Sequence, residues 1–129
     1  MGKGIAYKCA GCGFQQEYLT GIGFTAPQEA AQERENILAG NYGPKAQAAL
    51  QGHSEAIVDV EHALYQCGAC GKLESRLAVK LTGPVVVPIL QHCDCGATMH
   101  RIRAGEEMLC PDCGRPFGEA DVVGVTLWD

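Results

Sequence analysis

CDCGATMHRIRAGEEMLCPDCG, residues 93–114, puts a close pair of cysteines at each end of a segment long enough for one hairpin. Tetrahedral zinc takes four thiolate sulfurs at about 2.3 Å, usually as two close pairs brought together by the chain. Fourteen residues, 96 to 109, separate Cys95 from Cys110. The expected path is Thr98 to Arg103 outward, a turn at Ala104-Gly105, and Glu107 to Leu109 returning. Cys93, Cys95, Cys110 and Cys113 would then share one metal ion.

Two more pairs lie upstream, Cys9/Cys12 and Cys67/Cys70, so all eight cysteines of the 129-residue chain are paired at metal-ligand spacing. Reading neighbours together assigns Cys9, Cys12, Cys67 and Cys70 to a first site. The 54 residues 13 to 66 exceed what a bare hairpin needs, and a helical insertion accounts for the excess. A cross-brace, with Cys9/Cys12 joined to Cys93/Cys95 and Cys67/Cys70 to Cys110/Cys113, is the competing scheme. Disulfides would be the reading for a secreted mini-protein, but close pairing without a secretion signal favours metal.

The segments between the pairs carry their own signals. Thr25-Ala26-Pro27-Gln28 has the form of a capping-box start, opening a helix from about Ala26 to Ala39 that Gly40 ends. Pro44 to Gln51, stopped by Gly52, reads as a second helix, and the two look like a surface insertion at about 25–52. Alternation of Val58, Val60, His62 and Leu64 with Asp59, Glu61 and Ala63 predicts a strand into the second pair. Leu73 to Leu81 predicts its return, with one face of the hairpin buried. Pro84 and Pro88 bracket an edge strand or linker, and Val122 to Trp128 is a last strand. The expectation is a small, zinc-stabilised α+β protein of two β-rich zinc ribbons, the first carrying the helical insertion. Its divisions are 1–82, a linker or edge strand at 83–91, and 92–129.

Ten Lys and Arg against fifteen Asp and Glu give a net charge of −5. Eight thiolates with two Zn2+ would take it to about −9. Nucleic-acid binders usually carry a basic stripe, and here only Arg101, Arg103 and Arg115 come near to a cluster, so nucleic acid is the lesser partner class. No apolar run approaches the roughly 20 residues that cross a bilayer. The N-terminal residues lack a secretion signal, and Ala6 stands where a myristoylation motif wants Ser or Thr, so a cytoplasmic protein is expected.

Tyr7-x-Cys9-x-x-Cys12-Gly13-Phe14 and Cys110-Pro111-x-Cys113-Gly114 resemble the two knuckles of rubredoxins and of rubredoxin-like zinc ribbons. In rubredoxins such knuckles jointly hold one iron for electron transfer, and all-thiolate sites accept iron or zinc. Here each knuckle has a nearer partner in sequence, so zinc at sequential sites is the expectation and iron the alternative. The layout is similar to that of bacterial double-zinc-ribbon proteins, a resemblance that implies no activity. Cys93-x-Cys95 with Cys110-x-x-Cys113 is also similar to the zinc switch of redox-regulated heat-shock chaperones, where oxidised thiolates release metal.

Two complete sets of four cysteines leave no open coordination position, so no enzyme is expected. His92 and His100 flank cysteines that already suffice, and His53 and His62 lack catalytic spacing. Ile22-Gly23-Phe24, with Tyr42, is the candidate surface for another protein, although these residues and Trp128 also suit simple packing. The expected function is a non-enzymatic protein-interaction adaptor with two structural Zn2+ per chain. A nucleic-acid ribbon using Arg101, Arg103 and Arg115 is the alternative.

Overall fold

A computed structural model of the chain describes residues 2–103 and 105–128. Its elements run β1 (Gly2–Lys8), β2 (Gln15–Gly21), α1 (Ala26–Leu38), α2 (Pro44–Gly52), β3 (Ile57–Cys67), β4 (Leu73–Thr82), β5 (Val87–Pro88), β6 (Met99–Arg101) and β7 (Val122–Trp128). A 3-10 turn at Glu119–Asp121 precedes β7. The strands form one antiparallel sheet in the order β5-β4-β3-β2-β1-β7, with β6 also on β3. No described helix is long and apolar enough to cross a membrane.

The β3–β4 hairpin is the centre, paired continuously from Ile57–Thr82 to Gln66–Leu73. Because strand side chains alternate, Val58 and Val60 with their partners Leu81 and Val79 lie on one face, and Asp59 and Glu61 with Lys80 and Ala78 on the other. Ile37, Ala46 and Leu50 from the helices pack on the first face with Val58, Val60, Val79 and Leu81. The same face, further along, meets β1 and β2 through Tyr7, Tyr18, Leu64, Leu73 and Met108. Ala63, Tyr65, Ala78, Cys93 and Met99 form a smaller cluster on the opposite face.

Three expectations change. The helices are not a surface insertion, since Ile37 and Leu50 are among the most buried side chains of the chain. Thr25 makes no side-chain bond to the helix backbone, and its hydroxyl meets Glu29 Oε1 at 3.2 Å instead of closing a capping box with Gln28. The 98–109 hairpin is replaced: Met99 to Arg101 pair with Tyr65 to Cys67 of β3, and Ile102 N–H donates to Leu64 O at 2.8 Å. Leu109 instead binds the amide of Gln66, donating to Oε1 at 2.9 Å and accepting from Nε2 at 2.7 Å. Longer-range pairing thus satisfies the backbone groups that a local hairpin would have used. Ala104 of the expected turn lies outside the described residues.

Candidate metal centres

All four cysteine pairs are closed by the same pattern of two backbone bonds, in a turn that is one residue shorter at Cys93/Cys95. The first cysteine of each pair donates its N–H past the second: Cys9 to Phe14 O at 2.7 Å, Cys67 to Lys72 O at 2.9 Å, Cys93 to Ala97 O at 2.8 Å, Cys110 to Arg115 O at 2.8 Å. The glycine after the second cysteine donates back to the first cysteine's carbonyl at 2.9 Å in each case. That return bond needs positive φ, and Gly13, Gly71, Gly96 and Gly114 have φ of 82, 81, 94 and 76°. In every pair the first cysteine is buried and the second exposed.

The turns converge on two groups, Cys9, Cys12, Cys110 and Cys113, and Cys67, Cys70, Cys93 and Cys95, with the ligand atoms of each group within 4.8 Å of one another. Sulfur contacts of 3.6 Å (Cys9–Cys113, Cys12–Cys110, Cys67–Cys95) and 3.5 Å (Cys70–Cys93) are too long for disulfides, which need about 2.05 Å. They approach the edge of a sulfur tetrahedron built on bonds of about 2.3 Å. Each group can hold a metal ion.

This grouping corrects the sequential pairing and matches the cross-brace no better. The pairs are nested: the outermost two form one group and enclose the two that form the other. Strand pairing explains it. β1 leads into Cys9 and pairs with β7, which follows Cys113. Tyr7 stacks on Phe117 at 5.2 Å, and Phe14 stacks on Phe117 at 6.4 Å. For the inner group, β6 follows Cys95 and lies along the end of β3 at Cys67, and Lys72 Nζ meets Asp94 Oδ2 at 2.9 Å. The signal for the outer group was in the sequence: the two knuckles that resemble those of rubredoxins are the two that meet.

Charge is arranged differently around the two groups. At the outer one Asp121, with a side chain 2% exposed, accepts from Gly118 N–H at 2.7 Å, Ala10 N–H at 3.0 Å and Arg115 Nη2 at 2.6 Å. Those N–H donors hold its carboxyl below the usual carboxylate range. The Arg115 stem passes Gly11, where an added Cβ would lie 3.2 Å from Arg115 Cδ. Burial pushes the Cys9 thiol up, but N–H donation from Cys12 and Gly11, helped by Arg115, outweighs it and brings it down to about 6. At the inner group N–H donation from Cys70 draws Cys67 to about 6 against its burial. One thiol of each group is thus drawn toward thiolate, the metal-binding form, while Cys12 and Cys113 in the outer group and Cys70 and Cys95 in the inner one are moved up: backbone N–H donors favour their thiolates too, but burial and the neighbouring sulfurs outweigh them.

The remaining sequence candidates have separate places. Arg115 is committed to Asp121 at the outer group, while Arg101 Nη2 meets Glu61 Oε1 at 2.7 Å on β3. His62 meets Glu29 Oε2 at 3.1 Å, and His100 meets Glu106 Oε2 at 2.7 Å. Neither belongs to a cysteine group. Phe24 and Ile22 are 81% and 52% exposed, whereas the Tyr42 hydroxyl donates to Glu33 and its ring packs beside the helical core. Trp128 lies over Gly2 and Gly23, each of which has no room for a Cβ beside the indole, and stands edge-on to His62 at 5.2 Å. No protein-family model, curated protein or solved structure matches the chain.

Proposed function

We propose that the chain is a non-enzymatic interaction module in which each group of four cysteines takes one Zn2+, two per chain, and the metal-held scaffold engages another protein. The observation that carries this reading is the completeness of both groups. Four sulfurs within 4.8 Å of one another fill a tetrahedron and leave no position for water or substrate, as structural zinc requires. Elemental analysis of the purified protein tests it: two zinc per chain are expected, and removing them with a chelator in acid should lower the thermal midpoint sharply.

A second reading concerns the outer group alone. It joins the two knuckles that resemble those of rubredoxins, which supports one iron there and electron transfer as its use. The same measurement decides: protein with zinc at both groups is colourless, whereas ferric iron held by four thiolates is red. One iron per chain with a reversible absorbance change on reduction would replace the structural reading at that group.

A further inference from the structure

The face of the β3–β4 hairpin that the helices leave uncovered is ringed by residues 88 to 103. Pro88 pairs with Lys80 beyond β4, Ile89 N–H donates to Val79 O at 3.1 Å, and Gln91 Nε2 donates to Leu77 O at 2.9 Å. The chain then turns through Cys93–Gly96, with His92 opposite Thr98 and Met99 N–H donating to Gln91 O at 2.8 Å, and returns beside β3 as β6. Within this ring lies a cleft of about 470 Å³.

Its lining joins residues that belong to rival readings of the sequence. Ile22 belonged to the candidate protein-binding connector, and Arg101 and Arg103 to the candidate nucleic-acid patch; all three line this cleft, with Lys80, Leu90 and Tyr65. Ile22 and Leu90 are 52% and 65% exposed, an apolar surface that nothing among the described residues covers.

Charge selects the occupant. Asp59 and Glu61 also line the cleft: Glu61 accepts from Arg101 at 2.7 Å, while Asp59, opposite Lys80 in the register, accepts from the neutral Thr82 hydroxyl at 3.0 Å and keeps its charge. Glu106 beside it is held by His100 at 2.7 Å and by Arg103 N–H at 3.1 Å. Among the described residues no carboxylate lies within ion-pair distance of the Lys80 ammonium or the Arg103 guanidinium. A chain of net charge −5 thus lines one concave, partly apolar place with three cations, Lys80, Arg101 and Arg103, against two carboxylates, Asp59 and Glu61. A nucleic-acid backbone wants a long basic stripe, and the third arginine of that patch is committed elsewhere to Asp121.

We propose that this cleft docks a short acidic segment of another protein, with its carboxylates on Lys80 and Arg103 and an apolar side chain against Ile22 and Leu90. The proposal rests on the interaction-module reading and names its partner class.

A random-peptide display selection on the metal-loaded full chain, counter-selected on the K80E/R103E double variant, tests it. Peptides specific to the unmodified chain should carry Asp or Glu beside an aliphatic or aromatic residue. The most enriched peptide, fluorescently labelled, should bind at least about tenfold more weakly to K80E/R103E and to Leu90→Asp, and more weakly at high salt. Failure to enrich peptides, enrichment of peptides without acidic residues, or equal binding by the variants would overturn the proposal. So would a labelled single-stranded oligonucleotide that binds the chain and is lost in K80E/R103E. Metal content and thermal midpoint are measured on every sample: two zinc and an unchanged midpoint without peptide binding would sink the cleft while leaving the metal scaffold standing.

Discussion

Asp121 shows how one side chain can brace a candidate metal centre without belonging to its four sulfurs. Its buried carboxylate ties Ala10, inside the first knuckle, to Arg115, just after the last one. Asp121→Ala leaves the Ala10 and Gly118 N–H groups without their acceptor and the Arg115 guanidinium without its ion-pair partner. The expected result is a less stable outer centre, read as faster zinc transfer from one of two sites to a chromogenic chelator, with the inner site unchanged. Gly71, at φ 81°, allows a second test at this scale. Gly71→Ala meets no neighbouring atom, so its cost is conformational, about 1 kcal/mol in chemical denaturation. Acid should release metal from both groups. Protons compete with metal for every thiolate of both groups as pH falls, including Cys9 and Cys67, the two drawn down to about 6.

Among elements, local signals read well and long-range ones poorly. Pro44 and Gly52 bound α2 as their chemistry predicts, and the alternation from Val58 to Leu64 placed β3. What periodicity did not convey is where α1 and α2 pack, because Ala46, Ala49 and Leu50 look the same whether they cover a ribbon or build a core. Here they build it, with Ile37 and Leu50 essentially without exposed surface. Leu50→Ala is therefore expected to cost about 2–5 kcal/mol, measured by denaturant unfolding, where a surface insertion would cost little. The hairpin expected at 98–109 failed for a related reason. Gln66 satisfies both backbone groups of Leu109 across the fold, and no sequence spacing announces such a side chain.

For the whole molecule, the decisive question was which cysteines meet. Nearness in sequence favoured neighbours, since a short loop costs less entropy to close than a long one. That preference is weak: closure cost grows only with the logarithm of loop length, about 0.6 kcal/mol per doubling. Pairing of β1 with β7 and the stacked rings of Tyr7 and Phe117 easily outweigh it. That the eight cysteines form four paired knuckles was legible from spacing alone, but how the pairs group was not. Cys113→Ser should thus remove one metal and raise hydrogen exchange in β1, β2 and β7, while β3 and β4 keep their protection. Sequential ribbons would have confined the damage to residues 92–129.

Nesting also imposes an order on synthesis. The inner group has all its ligands once Cys95 has been made, whereas Cys9 and Cys12 must wait for Cys110, 98 positions after Cys12. At about 5–20 residues per second that is some 5–20 s during which these two thiols are without their partners, open to oxidation or to capture of the wrong metal. Of the four knuckles, the one made earliest waits longest for its partner.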